Sequence, residues 1–224
     1  PTTVSRAWTR IAPGPNIAGM IHDVDETLRA VIERDVIDGD VDISFEAPNK
    51  EWAGRLNKPT VNAFLYDIRE DVARRDVAPQ PVRDENGTII GRRPPPRRLR
   101  LSYLLTAWTQ RPEDEHRLLS ALLSGLVRSD ELPPELLVGS LATAGVPTLT
   151  TLALPPTQDR SLSDVWSAMG GELKASIDLV VIAPLEPDRG FETGPPVDRP
   201  PLFRISADEN TTEERQARAG SEAS

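Results

Sequence analysis

Arg97-Arg98-Leu99-Arg100-Leu101-Ser102-Tyr103-Leu104-Leu105-Thr106-Ala107-Trp108 is the stretch on which the fold of this chain turns. Leu99, Leu101, Tyr103, Leu105 and Ala107 fall at every second position, with Arg98, Arg100, Ser102, Leu104, Thr106 and Trp108 between them. Successive side chains of a strand point to opposite faces, so this sustained period of two predicts a long β-strand over 97–109. One face is apolar throughout. The other starts polar and turns apolar at Leu104, so the strand runs from a wet rim into a covered interior. Pro112-Glu113-Asp114-Glu115-His116 then opens a helix over 112–128, since Pro suits the first helical position and acids suit the first turn. Leu118, Leu119, Leu122, Leu123, Leu126 and Val127 form its buried stripe.

Working outward, residues 60–70 alternate Val61, Ala63 and Leu65 with Asn62, Phe64, Tyr66 and Ile68. Both faces are largely apolar, which predicts a central strand antiparallel to 97–109. The segment between them, 71–96, is polar and Pro-rich and reads as an extended connection. Its Asn86-Gly87 pair predicts a type I′ hairpin turn between Val82 and Ile89-Ile90. Residues 41–47 alternate Val41, Ile43, Phe45 and Ala47 with Asp42, Ser44 and Glu46, the pattern of a half-buried edge strand. A helix over 17–36 precedes it, capped by Asn16, with Ile17, Met20, Ile21, Val24, Leu28, Val31 and Ile32 as its apolar stripe.

Downstream, Leu132-Pro133-Pro134 ends the leucine-rich element, and the Thr- and Leu-rich residues 146–154 read as a further strand. Ser161 and Asp164 resemble a capping pair for a helix over 161–170 bearing Leu162, Val165, Trp166 and Met169, with Gly170-Gly171 as its left-handed end. Residues 176–183 are β-branched and form the last strand. The fold class is therefore α/β (α+β): an antiparallel or mixed sheet of 41–47, 60–70, 97–109 and 176–183, flanked by helices. An N-terminal arm (1–16) precedes the body (17–185). A Pro-rich, partly disordered tail (186–224) follows, whose one apolar island holds Leu202, Phe203 and Ile205.

The 224 residues suit one domain with appendages or two small ones, and their 38% hydrophobic content supports a core. No apolar run approaches the ~18 residues that suggest a membrane-spanning helix. Nor is there a signal-peptide pattern, and the absence of Cys fits a reducing cytoplasm. A net charge of −9 disfavours nucleic acid and anionic membranes as partners, outside a local basic patch. The 22 prolines are about twice the ordinary usage of ~5% and cluster in connections.

Chemistry-bearing patterns are sparse. Asp23, Asp25 and Glu26 project in different directions from a helix and read as a solvated face. Glu113 and His116 have the i, i+3 spacing of carboxylate metal sites, but His22 is the chain's only other histidine. There is no phosphate-cradling glycine loop, nucleophile elbow or His-Glu-x-x-His motif, so no catalytic, cofactor-binding or metal-binding residue is assigned. The dense basic run Arg92-Arg93-Pro94-Pro95-Pro96-Arg97-Arg98 suits an acidic protein surface, a Pro-recognition domain or, less well in so acidic a chain, phosphate, or else is a stiff polyproline link into the strand. Trp166 reads as core and Trp108 as core or interface. Trp52, in a polar loop, is the best candidate for a contact between subunits. The interface candidates are thus Trp52, Arg92, Arg93, Arg97, Arg98, Leu202, Phe203 and Ile205.

Four segments together resemble a known family. They are Ile21-His22-Asp23-Val24-Asp25-Glu26-Thr27-Leu28; Val61-Asn62-Ala63-Phe64-Leu65-Tyr66-Asp67-Ile68-Arg69-Glu70; the quoted strand with Glu115-His116-Arg117-Leu118-Leu119; and Asp164-Val165-Trp166-Ser167-Ala168-Met169-Gly170. In this order and spacing they are similar to the cap, or tail-terminator, proteins of extracellular contractile injection systems, phage-tail-like particles made by bacteria. The resemblance spans 17–185. It implies a β-sheet flanked by helices, as in phage tail terminators, and a structural protein that is not an enzyme. It also implies a hexameric ring closing the far end of the inner tube and sheath. The partners would be further copies of the chain and tube and sheath subunits, in the cytoplasm of the producing bacterium as part of an assembled particle. A neck or baseplate adaptor of a related particle is one alternative. A soluble enzyme is another, which a cofactor, or a metal near Glu113 and His116, would support.

Overall fold

In the computed structural model, which describes residues 19–153, 162–170, 173–186, 191–192, 202–208 and 211–216, helices and strands alternate irregularly. Helix α1 (Met20–Asp35) leads to strand β1 (Asp42–Ser44), the single turn α2 (Lys50–Ala53) and strand β2 (Thr60–Glu70). Strands β3 (Gln80–Arg83), β4 (Ile89–Arg93) and β5 (Arg97–Trp108) follow, then helices α3 (Pro112–Leu126) and α4 (Gly139–Thr143). Strand β6 (Leu149–Leu152), helix α5 (Leu162–Ala168) and strand β7 (Ile177–Leu185) complete the body. Strands β8 (Phe191–Glu192), β9 (Leu202–Asp208) and β10 (Thr211–Gln216) lie beyond it.

The main sheet has five strands in the order β1-β2-β5-β7-β6. It is mixed: β1 runs parallel to β2, and every other pair is antiparallel. The quoted stretch, β5, lies at its centre, with Ala63↔Leu105↔Ile177 and Leu65↔Tyr103↔Leu179 in register. The β2–β5 ladder slips between Leu65 and Asp67, leaving Tyr66 as the extra residue of a bulge. Its phenol donates to Asp178 Oδ1 at 2.6 Å.

One face of this sheet carries Val61, Ala63, Leu101, Tyr103, Leu105, Leu179 and Val181, all buried. Against it pack Met20, Val24, Leu28, Val31 and Ile32 of α1 with Leu122 and Leu126 of α3. The alternation read in β5 is thus the alternation of two layers. Burial along β5 rises from an exposed Arg97 to a continuous buried run over 101–107, the wet-rim-to-interior gradient expected. On the other face Leu104, Thr106, Asn62, Val180 and Ile182 are buried. Trp108 closes that face edge-on to Trp52 at 5.3 Å between ring centroids and at 6.5 Å from Trp166.

Several expectations shift. The first helix begins at Met20 after Gly19, and the expected cap Asn16 lies outside the described residues, as do Ser161 and Gly171. The strand expected over 41–47 contracts to three residues, and β6 joins the sheet at the opposite edge. Helix α4 had no signal in the sequence. The hairpin between β3 and β4 forms as expected, but not through a type I′ turn. Among the described residues only Gly87 of its tip has positive φ (82°), whereas type I′ needs two such residues. Asp84 supplies the reason: its Oδ1 accepts from Asn86 N at 2.9 Å and Thr88 N at 2.8 Å, holding a wider loop.

Both edges of the main sheet are partly covered. The chain at 130–132 lies along β6, with Thr150 N donating to Asp130 O at 2.8 Å and Leu132 N to Thr148 O at 2.9 Å. At β1, Arg29 Nη1 donates to Ile43 O at 3.1 Å and the guanidinium covers the Phe45 ring at 5.2 Å. Short and covered edges prevent sheet-to-sheet aggregation. Beyond the main sheet, β3, β4 and β8 form a small second sheet, and β9 pairs antiparallel with β10.

Candidate assembly interface

The basic run does not form one patch. Adjacent residues of a strand face opposite ways, so Arg92 and Arg93 of β4 are separated, as are Arg97 and Arg98 of β5. Two of the four already have carboxylates: Arg97 Nη1 lies 2.7 Å from Glu70 Oε1, and Arg93 Nη1 lies 3.6 Å from Glu186 Oε2. Glu70 also meets Arg75 Nε at 3.0 Å. Arg98 differs, because its Nη1 is buried and has no hydrogen-bond partner among the described residues.

Register brings in residues that the sequence had not singled out. Arg69 on β2 stands directly opposite Arg100 on β5, and Arg98 is on the same face two positions away. Like charges directly opposed across a ladder are destabilising. Two carboxylates are near, and each is engaged: Asp67 Oδ2 meets Arg69 Nε at 2.9 Å, and Asp71 Oδ2 meets Arg74 Nη1 at 2.7 Å. Burial alone would raise the Asp71 carboxyl. Its bond to Arg74, with the added field of Arg100, holds it below the usual range instead. The only available signal was the pairing of 60–70 with 97–109, and the period of two fixes a strand's faces without fixing its register.

Trp52 turns inward. It sits on α2, 4% exposed, because Asn49 Oδ1 accepts from Trp52 N at 2.8 Å and starts a helical turn that carries the indole under the sheet against Trp108. The polar composition around it concealed that cap. Leu202, Phe203 and Ile205 lie in β9, in register with Gln216, Arg215 and Glu213 of β10.

Where β5 leaves the sheet, an open groove of about 800 Å³ is lined by Val41, Leu56, Trp108, Arg111, Arg117 and Leu118. Trp108 is held there by Lys174, whose Nζ sits 4.7 Å above its ring and pairs with Glu115. The mixed lining suits an extended polypeptide with an apolar side chain. Arg117 is already bonded to Asp114 at 2.9 Å, which leaves little charge to select a ligand.

Asp23 and Asp25 of α1 are structural, whereas Glu26 stays on the solvated face beside Arg29. Asp23 Oδ2 accepts from Ser140 N at 2.8 Å and Ser140 Oγ at 2.6 Å, capping α4 from another helix. Gly139 (φ +55°) must be glycine there, since a Cβ would fall 2.2 Å from Asp23 Oδ1. Asp25 Oδ1 accepts from the buried Tyr103 hydroxyl at 2.7 Å. Burial pushes the Asp25 carboxyl up, against the lowering effect of that hydrogen bond, and pushes the Tyr103 phenol up strongly. Glu113 and His116 lie exposed at the start of α3. Among the described residues no group of three or more His, Cys, Asp or Glu could hold a metal ion.

The Pvc16 N-terminal domain family matches residues 23–199. The chain belongs to this family. The matched region of this Pvc16 N-terminal domain runs from Asp23 of α1 past β8 and contains the whole main sheet. Among solved structures, the fold is similar to the sheath/tube terminator, in its extended state, of the PVC extracellular contractile injection system. That match has a TM-score of 0.61 and 22% identity over 89% of this chain and 65% of that one. It is similar also to the anti-feeding prophage cap, a tube-terminating cap, with a TM-score of 0.56 and 22% identity over 79% of this chain and 59% of that one. The chain thus spans about two thirds or less of the length of these structures. No curated protein matches it. The terminator-like fold implied by the four sequence segments is therefore the fold observed. Among the described residues no helix is long and apolar enough to cross a membrane.

Proposed function

We propose that this Pvc16 N-terminal domain is a structural cap that terminates the tube and sheath of a bacterial contractile injection system, working as a hexameric ring rather than as an enzyme. The family match over residues 23–199 carries this reading, and the likeness of fold to two tube terminators supports it. The geometry is compatible: a subunit whose main sheet has short, partly covered edges is poorly suited to extending that sheet from copy to copy. It needs separate elements for its contacts, and the second sheet and the β9–β10 pair are such elements. In this reading 17–185 is the capping body, 1–16 an arm and 186–224 a contact tail. Arg92 and Arg98 face acidic neighbours, and the strand pair that holds Leu202, Phe203 and Ile205 reaches a neighbouring subunit. The ring would form in the cytoplasm of the producing bacterium and leave it within the particle.

The test is the length distribution of tubes assembled with and without the chain, read by electron microscopy. The expected result is tubes of defined length with added density at one end, and overlong tubes when the chain is omitted. Tubes of unchanged length with bare ends would overturn the capping role, and density at the baseplate end would replace it with an adaptor role.

A further inference from the structure

We propose that the face of the main sheet bearing Arg69, Arg98 and Arg100 is a docking surface for a second copy of this chain, which it meets through the acidic β9–β10 strand pair of that copy. The surface has an excess of cations. Arg69, Arg74, Arg98 and Arg100 stand around Asp67 and Asp71, and those two carboxylates are bonded to Arg69 (2.9 Å) and Arg74 (2.7 Å). Neither Arg98 nor Arg100 forms an ion pair among the described residues. The ladder sets Arg69 against Arg100, and Arg98 Nη1 is buried without an acceptor among the described residues. A like-charge pair costs stability within one subunit, and an incoming carboxylate relieves it at the accessible Arg69 and Arg100.

The chain itself carries a complementary element. The segment 202–216 holds Asp208, Glu209, Glu213 and Glu214 against Arg204 and Arg215, so it is acidic overall. Strands β9 and β10 pair with each other and with no other strand among the described residues. A lone two-stranded pair is marginally stable in water, so it gains from a surface to lie on. A sheet face on one copy and a strand pair on the next make a head-to-tail contact, which closes into a ring when the rotation permits. The inference deepens the ring reading above, but it concerns contact between copies alone.

The test is sedimentation velocity on the full chain at about 50 mM and about 500 mM salt, which span strong and weak screening. Three samples accompany the wild type: Arg69→Glu/Arg100→Glu, Glu213→Lys/Glu214→Lys, and an equimolar mixture of the two. The wild type should self-associate at low salt and weaken by about tenfold or more at high salt. Each variant alone should sediment as a monomer, and the mixture, in which every contact is again between opposite charges, should associate. A monomeric wild type at low salt, a variant that associates as the wild type does, or a mixture that stays monomeric would each overturn the proposal. The Glu213→Lys/Glu214→Lys chain alters only the tail. It decides the matter even where charge reversal on the sheet impairs folding, as circular dichroism would reveal. Because no tube is present, loss of this contact is distinguishable from loss of capping.

Discussion

Asp23 and Asp25, two residues apart on α1, look alike on paper, and packing alone assigns them different roles: the first caps α4 and the second receives Tyr103. Asp25 lies off the apolar stripe of α1, so periodicity placed it in solvent, yet it receives the hydroxyl of Tyr103, which is fully buried. The period-two pattern identified Tyr103 as inward-facing but not the residue that would satisfy its phenol. Asp25→Ala, which exposure would have made harmless, is expected to cost about 1–3 kcal/mol by leaving that hydroxyl unpaired. Asp25→Asn keeps an acceptor and should cost much less. Burial raises the Asp25 carboxyl in the folded state, so the native chain holds this proton more tightly than the unfolded one. Stability from this group is therefore complete below the unfolded value of ~3.9 and is lost as pH rises through the higher folded value. Urea unfolding between pH 3 and 7 should show that decline as a fall in the stability of the wild type relative to Asp25→Asn, since carboxylates such as Asp71 contribute with the opposite sign in both chains. Leu105→Asp is the opposite case, where the sequence was sufficient. Leu105 is fully buried among α1 and β7 side chains, and an unpaired charge there should cost more than about 3 kcal/mol, read as a large fall in melting temperature.

At the level of elements, long strands and amphipathic helices were legible, because each repeats its signal many times. Turns and short helices were not, because they depend on one or two hydrogen bonds. The β3–β4 hairpin shows the difference: Asn-Gly correctly marked a turn, but Asp84 fixed its type. With positive φ at Gly87 alone, Gly87→Ala should destabilise the hairpin by about 1 kcal/mol, while Asn86→Ala should be nearly neutral. Amide exchange at Thr88 would separate this turn from a type I′ turn, in which both positions are sensitive. Gly125 makes the same point for helix packing. It looks like a defect inside α3, since alanine there is intrinsically better by about 1 kcal/mol. In the fold it marks the closest approach of α3 to the end of α1. A Cβ would lie 2.8 Å from Val36 Cγ2 and 3.0 Å from Asp35 O. Gly125→Ala should therefore lower stability despite its higher helix propensity, by about 1–3 kcal/mol. In a Val36→Ala background the loss should shrink. Equal losses in both backgrounds would place the constraint on the Asp35 carbonyl rather than on the methyl group.

For the whole molecule, fold class followed from β5 and β2, whereas the surfaces that reach a neighbour depend on strand register and edge covering, which a single sequence states weakly. The basic run around the prolines drew notice by density, but alternation divides it between faces, and the stronger cationic surface joins Arg69 to Arg98 and Arg100 from separate segments. The boundary between body and tail can also be placed more finely. β7 continues to Leu185, where it pairs with Arg97, and Glu186 meets Arg93, so a cut at 184 would fray the central ladder. A cut after Glu186 removes β8, whose pairing with β4 covers only Gly91 and Arg92, and the self-paired β9–β10. The core residues named above all lie before residue 186. The chain ending at 186 is therefore expected to fold cooperatively and to melt within a few degrees of the full chain, since peripheral changes of about 1 kcal/mol shift melting by only that much in a body of this size. It should lose contact between copies while keeping its sheet. Thermal unfolding followed by circular dichroism, run beside sedimentation of the same sample, checks both halves. A truncated chain that fails to fold would show that the tail belongs to the body, and one that still associates would move the contact back onto the sheet and its helices.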